Sequence, residues 1–524
     1  MNTISTFSDL WSFAYNLLIS FVLFTPLYFF LNAIYHLRLS PLSSIPGPWY
    51  AAISDFWLFS HALRLQQCKT IHSLFARYGP VVRIGPNKVA FCDLSVTKNV
   101  YIAQKFDKSD YYKSLLTNNN DHAMTTLPHS EHLVRKRGYI PHYVPAHINL
   151  FQPQVHDSAC DLVEMLELAG GKKSFECLNL FRHLMVDIMS MTVCGFRHGA
   201  LRNLSMGIED PLSMAVYDFP KRGVMRSVVP VWAWNLICKI PSKRWKRLCD
   251  SDRIMAEFVS ARLYELRSQI TAGKIQDDDE QMSLLQRLLK YRPNVASREP
   301  MSDQDIISEG MGHTIAGVDT TSATLAYILW EVSRRPDIQQ RLHAELDQAM
   351  PNSRAIPDIS ILYRLPFLTA VVKEALRVYG AAPSLLERVV PVSTNAMNDS
   401  FDLLGYGLPP GTVVGTQSWS SHRDSIVFPS PDTFLPDRWL ETHTDPSQLI
   451  LMHQHLMPFG AGSRLCGGQN LAHLAIRVVI ATVIRNFDIV SPPETNDSSM
   501  SIKDAFVIFP ASMRCNLKFI PRQD

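Results

Sequence analysis

One cysteine in the sequence stands where its side chain could ionise. Cys466 follows the glycine-rich stretch that begins at Phe459 and precedes an apolar helical pattern over residues 474–484. At the start of a helix, free backbone N–H groups and the positive end of the helix dipole both favour a thiolate over a thiol. Taken alone, Cys466 is still better explained as an ordinary buried cysteine beside a glycine-rich turn.

The neighbours of Cys466 suit a flat ligand that carries carboxylates. Gly468 has no side chain, so a macrocycle could lie close to the backbone, and Phe459 could shield the sulfur from water. Arg464 is two residues from the sulfur and could pair with a carboxylate of such a ligand. The stretch therefore fixes five residue types over ten positions, which are Phe459, Gly462, Arg464, Cys466 and Gly468.

A second stretch with chemical potential lies in the long helical pattern over residues 302–335, which contains glycines at positions 310, 312 and 317. Glycine costs roughly 1 kcal/mol relative to alanine inside a helix, so three of them indicate a reason such as the close approach of a ligand. Asp319 and Thr320 supply an ionisable group and a hydroxyl that could relay protons along a water chain. The alternative is a helix with polar residues on its solvent side.

A buried charge network is predicted around Glu374 and Arg377, which lie three residues apart in a helical pattern with apolar flanks. A buried charge without its partner costs several kcal/mol, so a third member is expected. Arg438 in the stretch 434–439 supplies it. We predict that these three residues hold the cysteine loop and take no part in bond making.

Together these stretches resemble the cytochrome P-450 family. The pattern around Cys466 resembles its haem-binding loop, residues 315–321 resemble its oxygen-activation groove, and residues 434–439 resemble its aromatic-x-Pro-acid-Arg-Trp motif, with Asp437 where the family more often has Glu. The resemblance implies that Cys466 is the axial thiolate ligand of a haem iron, which favours cleavage of a bound O–O bond. It also implies that Asp319 and Thr320 deliver protons to dioxygen.

Two further stretches are expected to bind the haem carboxylates. Arg388 stands where many family members place a propionate-binding arginine. The family often shows an aromatic residue or His followed four residues later by Arg, and Lys136 occupies that spacing after His132. Lys136 and its neighbour Arg137 both remain candidates, and this charge run is equally consistent with a solvated face.

Composition and charge exclude several other classes of protein. The 524 residues are 46% hydrophobic and 19% charged, which is ample for a large core. The net charge of +3 lacks the strongly basic character of a general nucleic-acid binder. Nine scattered cysteines without a Cys-x-x-Cys pair indicate neither a disulfide framework nor a structural zinc site.

Helical patterns dominate the chain, most clearly over residues 157–168, 254–270 and 302–335. Extended, proline-rich segments lie mainly at 78–93 and 381–415, and the polar stretch 268–300 is expected to contain a surface loop. These patterns predict a mainly α fold with a minor β-sheet portion. The resemblance implies a cytochrome P-450-like fold, with the haem between the long central helix and the helix that follows Cys466.

Residues 11–35 contain no Asp, Glu, Lys or Arg and could cross a hydrocarbon core of about 30 Å. Their length, and the absence of Lys and Arg from the first ten residues, favour a membrane span over a cleaved secretory signal. Basic residues follow the span, so the body is expected in the cytosol. We expect an anchor and the start of a proline hinge in residues 1–40, and one monooxygenase domain in residues 41–524, as a single-pass endoplasmic-reticulum protein.

The resemblance implies a monooxygenase that uses haem b (iron protoporphyrin IX) and O₂, and takes NADPH electrons from a separate flavoprotein reductase. One oxygen atom leaves as water, and the other enters an apolar small molecule by hydroxylation or epoxidation. The sequence is similar in style to fungal secondary-metabolism members, which suggests a terpenoid, polyketide or alkaloid substrate. Its pocket is expected along mainly apolar segments, at residues 111–127, 306–316, 381–386 and 506–508.

Two alternatives stay open at this point. A haem-thiolate peroxide isomerase or dehydratase would need no reductase, but Asp319 and Thr320 argue against it because that chemistry needs no proton delivery to dioxygen. A membrane-tethered haem-binding scaffold would take up haem without consuming NADPH.

Overall fold

A computed structural model describes Tyr15 and residues 24–229, 231–274, 280–293, 299–392 and 400–523. The α-helices after residue 40 are α1 (Trp49–Ile53), α2 (Phe56–Leu63), α3 (Gln67–Tyr78), α4 (Leu94–Thr97), α5 (His129–Tyr139), α6 (Pro145–Ile148), α7 (Gln152–Ala169), α8 (Cys177–Met189), α9 (Ala200–Ser205), α10 (Pro211–Val228), α11 (Val231–Ile237), α12 (Lys243–Thr271), α13 (Leu284–Lys290), α14 (Asp303–Ser333), α15 (Pro336–Ala349), α16 (Ile359–Arg364), α17 (Pro366–Val378), α18 (Ser418–Ser421), α19 (Pro446–His455) and α20 (Gln469–Asn486).

The strands are short and form small sheets. They are β1 (Val81–Gly85), β2 (Lys88–Phe91), β3 (Phe175–Glu176), β4 (Arg388–Val389), β5 (Phe401–Leu403), β6 (Tyr406–Leu408), β7 (Val413–Thr416), β8 (Phe487–Val490), β9 (Ile502–Ala505), β10 (Val507–Pro510) and β11 (Asn516–Pro521). The largest sheet has the order β1-β2-β7-β4, so the two segments that the sequence marks as extended pair with each other. The mainly α fold with a minor sheet portion is confirmed.

The central helix is α14, and it lies close to its predicted bounds. Ser302 caps it by accepting a hydrogen bond from the Asp305 N–H at 3.1 Å. Its C-terminal half from Thr321 to Val332 is buried throughout, and the helix packs against α8, α12 and α20. This packing fixes α14 relative to α20, the helix that begins just after Cys466.

The glycines of α14 pack closely against neighbouring side chains. A Cβ at Gly317 would overlap the Met189 side chain, and one at Gly312 would lie 2.5 Å from the His122 ring. A Cβ at Gly310 would lie 2.9 Å from Val259. Close packing of neighbouring side chains is therefore a second reason for glycine at these positions, and the predicted approach of a ligand stays a prediction.

The stretch 268–300 is not a continuous loop. Helix α12 extends to Thr271, and α13 begins at a capping box in which Ser283 and Gln286 exchange side-chain hydrogen bonds with each other's backbone N–H groups. Residues 275–279 and 294–298 lie outside the described residues.

The predicted anchor lies partly outside the described residues, because residues 1–14 and 16–23 are not among them. Residues 24–34 are helical and carry exposed apolar side chains such as Phe24, Tyr28 and Phe29. In the part of the chain that the structure describes, one stretch is long and apolar enough to cross a membrane, Cys177–Cys194. That stretch is buried in the protein core, so it belongs to the folded body.

Candidate active site

The cysteine loop is held by tight backbone geometry. Gly462 has a φ of +69°, and a Cβ there would overlap the carbonyl oxygen of Tyr101. The Cys466 N–H donates to the Phe459 carbonyl at 3.0 Å, and Gly468 is the N-cap residue of α20. These contacts place Cys466 immediately before the first turn of α20, as the sequence predicts.

The Cys466 side chain is exposed, in contrast to the buried cysteine that the residue alone would suggest. Burial of the sulfur among protein atoms raises the pKa of Cys466, whereas hydrogen bonds from the backbone N–H groups of Gly468 and Gln469 lower it. The sulfur lies among protein atoms, while part of the residue borders open space. The expected N–H donors are present, but burial outweighs them.

Phe459 packs against a residue of α20, whereas Gly468 has open space around it. The Phe459 ring packs edge-on against His473 at 5.1 Å between centroids. Gly468 has a φ of −80°, and its nearest neighbour would be 4.0 Å from an added Cβ. The backbone of the loop therefore requires glycine at 462, whereas at 468 it does not.

We predict that Gly462→Ala lowers the free energy of unfolding by about 2–4 kcal/mol, because it adds left-handed strain and a clash with Tyr101. Gly468→Ala is the matched control and should stay within about 1 kcal/mol of wild type, since its φ suits any residue. Urea unfolding followed by circular dichroism measures both. Equal destabilisation of the two variants would contradict this account of the loop.

Several cations near the loop have no carboxylate partner among the described residues. Arg464 donates to the carbonyl oxygens of Thr126 at 2.9 Å and Leu127 at 2.7 Å, and its Nε is buried without a partner among the described residues. Arg388 is 3% exposed and donates to the carbonyl of its neighbour Glu387. The structure thus gives both predicted arginines neutral oxygens as partners.

Lys108 is a third cation in this region, buried and close to Arg388 and Arg464. An isolated β-bridge pairs it with Arg388, and its Nζ donates to the Met124 carbonyl at 2.6 Å. Burial lowers the pKa of Lys108 well below its usual value, and the charges of Arg388 and Arg464 lower it further. Sequence reasoning missed Lys108, because nothing in residues 105–113 separates it from the other two lysines there.

The structure separates the two candidates on α5. Lys136 donates to the Ser463 carbonyl in the cysteine loop at 2.8 Å. Arg137 is exposed, and its charge lies near Tyr291 on another side of α5. Lys136 is therefore placed to act at the loop, whereas Arg137 is not.

The donor set fits a ligand with two carboxylates. Within the described residues, none of Lys108, Lys136, Arg388 and Arg464 forms an ion pair with Asp or Glu. Burial, together with the same positive charge, lowers the pKa of His132 to about 3, and its Nε2 is buried without a partner in the described region. Cations buried without anions are costly, so this cluster suits the propionates of a haem whose iron would meet Cys466.

The acid and the alcohol of α14 have defined partners. The Asp319 carboxylate accepts from Arg182 Nε at 3.2 Å, and its side chain is 17% exposed. Burial raises the pKa of Asp319, and the Arg182 charge opposes that rise. The Thr320 hydroxyl donates to the carbonyl of Ala316 at 2.6 Å, and Ala316 is exposed. A hydroxyl and an acid with a raised pKa therefore lie next to each other along the helix.

The predicted charge triad is present and buried. Glu374 accepts two hydrogen bonds from Arg377, at 2.8 and 2.9 Å, and one from Arg438 Nε at 3.2 Å. The Arg377 carbonyl contacts His422 Nδ1 at 3.0 Å, and His422 Nε2 accepts from the N–H of Met457 at 2.9 Å. This chain of contacts reaches Met457, two residues before Phe459 at the start of the cysteine loop.

The four segments expected to line a substrate pocket meet in the structure. Thr117 and Ser308 exchange side-chain to backbone hydrogen bonds at 3.0 and 3.1 Å. The centroids of the Tyr111 and Phe506 rings lie 6.4 Å apart, and the Phe506 carbonyl accepts a hydrogen bond from the Ser384 hydroxyl at 3.4 Å.

Comparisons with known proteins agree with this site. A family model described as Cytochrome P-450 matches residues 52–516. The cytochrome P-450 monooxygenase ucsK of an Acremonium species is 27% identical over 491 residues, which cover 90% of this chain and 91% of the relative. The benzoate 4-monooxygenase bphA of Aspergillus niger is 26% identical over 505 residues, covering 92% and 94%. The cytochrome P-450 monooxygenase stcB of Emericella nidulans is 25% identical over 491 residues, covering 91% and 88%.

Proposed function

The chain belongs to the cytochrome P-450 family of haem-dependent monooxygenases, and from this premise we propose that it hydroxylates or epoxidises an apolar small molecule of fungal secondary metabolism. The observation that carries the proposal is the accessible Cys466 side chain at the start of α20, beside cations that have no carboxylate partners among the described residues. Haem b supplies the iron centre at which dioxygen is reduced and split. Terpenoid, polyketide and alkaloid skeletons are the proposed substrate classes.

Each residue of the site has a proposed task. Cys466 ligates the iron, and Arg388, Arg464 and Lys136 bind the propionates together with Lys108. Gly462 gives the loop its shape, while Phe459 holds Cys466 through its carbonyl group. Glu374, Arg377 and Arg438 support the loop from behind.

Asp319 and Thr320 are proposed to deliver protons to dioxygen. A general acid works best when its pKa lies near the working pH, and the raised pKa of Asp319 moves it in that direction. The Thr320 hydroxyl donates to the Ala316 carbonyl, and its oxygen lone pairs can accept a hydrogen bond from a water of the proton relay.

The proposed cellular setting follows the sequence. An N-terminal anchor in residues 1–40 would hold the enzyme to the endoplasmic-reticulum membrane as a single-pass protein, with the domain of residues 41–524 in the cytosol. A membrane-bound flavoprotein reductase would pass it electrons from NADPH. Exposed apolar side chains over residues 24–34 support such an anchor.

The test of this function compares two reactions of the purified holoenzyme. Oxygenated product should form from candidate apolar substrates with reductase, NADPH and O₂ present, and should contain one atom of ¹⁸O from ¹⁸O₂. Formation of product from a hydroperoxide alone, without the reductase, would instead favour a peroxide isomerase. Haem uptake without substrate-stimulated NADPH consumption would favour a haem-binding scaffold.

We predict that Asp319→Asn lowers NADPH-dependent product formation by about 10²-fold or more, because it removes the proposed proton donor. Asp337→Asn, at an exposed acid in the first turn of α15, is the matched control and should leave the rate unchanged. Rates are measured as product formed per minute per haem at saturating NADPH and reductase. A wild-type rate in Asp319→Asn would contradict the proposed role.

A further inference from the structure

A cavity of about 400 Å³ lies away from the cysteine loop, between α10, α11 and the 3₁₀ segment Asp110–Leu115. Its wall includes Tyr111, Arg222, Arg226 and Trp234. The volume falls in the range of small-molecule sites. None of the residues proposed to hold the haem lines this cavity, so it is separate from the proposed haem site.

Arg222 belongs to this wall and has buried hydrogen-bond donors that no described residue pairs with. The residue is 6% exposed, and its Nη2 lies 3.2 Å from Asp252. Its Nε and Nη1 are buried without a partner among the described residues. Asp252 also accepts the Asn118 N–H at 3.0 Å, so this carboxylate serves two donors. A buried guanidinium with unsatisfied N–H groups is costly unless a ligand pairs with it.

Arg226 adds a second charge one helical turn along α10. Its Nη1 is also buried with no partner in the described part of the chain. Burial lowers the pKa of Arg222, and the nearby Arg226 charge lowers it as well, while Asp252 raises it. Like charges four residues apart on a helix repel each other, and a shared anion would remove that repulsion.

The other charges of the wall do not supply this anion. Lys113 is already paired with Asp121, with both carboxylate oxygens within 2.7 Å of its Nζ. Asp110 lies at the wall but is exposed, and it forms no ion pair within the described residues. The buried part of the wall therefore carries excess positive charge.

We infer that Arg222 and Arg226 bind the carboxylate of an amphipathic substrate whose skeleton is otherwise apolar. The planar fork of a guanidinium matches a carboxylate in two parallel hydrogen bonds. Tyr111 belongs to this wall and also lies beside Phe506, so an apolar skeleton could continue from the arginines towards the proposed substrate pocket. This inference rests on the proposed function, since it names the chemical class of the substrate.

The test titrates the full-length holoenzyme with acids and their methyl esters by calorimetry. The probes are dodecanoic, cinnamic and 2-naphthoic acid, each paired with its own ester. At least one acid should bind about 10- to 100-fold more tightly than its ester, because the ester lacks the charge that satisfies the guanidinium donors. The absence of a preference for any acid over its ester would overturn the inference.

Variants assign that preference to the two arginines. Arg226→Gln and Arg222→Gln should each lose most of the preference for acid over ester, without weaker binding of the ester. Arg222→Lys keeps a positive charge near Asp252 and should lose only part of that preference. Arg253→Gln is the matched control, because Arg253 is exposed and already paired with Glu257 at 2.7 Å. An acid preference that survives in Arg226→Gln and Arg222→Gln would overturn the assignment.

Two further measurements distinguish a carboxylate site from a membrane-binding surface and from a defective haem site. Loss of binding to phosphatidylserine vesicles, but not of the acid preference, in the glutamine variants would assign the arginines to the membrane surface and overturn the inference. The reduced, carbon-monoxide-bound absorption spectrum tests the haem site independently. If wild type gives a normal thiolate-type spectrum but binds no acid more tightly than its ester, only this inference is overturned. If wild type lacks that spectrum, the proposed function is overturned.

Discussion

Replacing Cys466 with serine is expected to abolish the thiolate-type absorption of the reduced, carbon-monoxide-bound protein, together with NADPH-dependent product formation. Metal binding deprotonates a thiol outright, whereas a serine hydroxyl keeps its proton near neutral pH. The serine would have nearly the same size and would still meet the N–H groups of Gly468 and Gln469. The loss would therefore come from the missing sulfur ligand and not from a changed loop.

The control for this experiment is Cys160→Ser. Cys160 is half-buried on α7, far along the chain from the cysteine loop, and should keep the wild-type spectrum and rate. Circular dichroism of both variants should match wild type. A thiolate-type spectrum that persists in Cys466→Ser would show that another residue ligates the iron and would defeat the assignment of the site.

The position of Cys466 could be predicted because its determinants are local. A glycine-rich turn followed by an apolar helical pattern fixes a residue at a helix start whatever the rest of the fold does. The bounds of α14 could be predicted for the same reason, because its helical pattern and its N-cap residue Ser302 are both visible in the sequence. Helix α13 was missed although its Ser283 and Gln286 form a readable capping box, because the polar residues around it suggested a loop.

The choice between Lys136 and Arg137 needed the structure. Neighbouring residues on a helix point about 100° apart, so a small error in the phase of α5 exchanges which of the two faces the loop. The sequence gives spacing along α5 but not its rotation against Ser463. That rotation is set by tertiary packing.

Lys108 and the glycines of α14 depend on contacts between distant parts of the chain. Lys108 reaches the site through its bridge to Arg388, 280 residues away. Added Cβ atoms at Gly317 and Gly312 would meet the side chains of Met189 and His122, which belong to other segments. Helix propensity can show that the glycines are unusual inside a helix, but only the fold shows which neighbouring side chains they and Lys108 contact.

Glu374→Gln is expected to lower the free energy of unfolding by about 3–5 kcal/mol, because it leaves two buried guanidiniums without their anion. Glu374 is fully buried and accepts from Arg377, Arg438, the Trp439 indole at 2.9 Å and the Leu435 N–H at 2.8 Å. A glutamine keeps the size of the side chain but turns one acceptor into a donor facing Arg377 or Arg438. Urea unfolding followed by circular dichroism gives the free energy.

Asp437→Asn is the matched control for Glu374→Gln. Asp437 forms a bidentate pair with Arg341 at 2.7 and 3.0 Å, but the Arg341 side chain is 42% exposed, so water replaces much of the lost interaction. Its loss should cost less than about 1 kcal/mol. Because His422 connects the triad to Met457, Glu374→Gln should also release haem at lower urea concentration than Asp437→Asn. If the two variants unfold and release haem together, the triad does not support the cysteine loop.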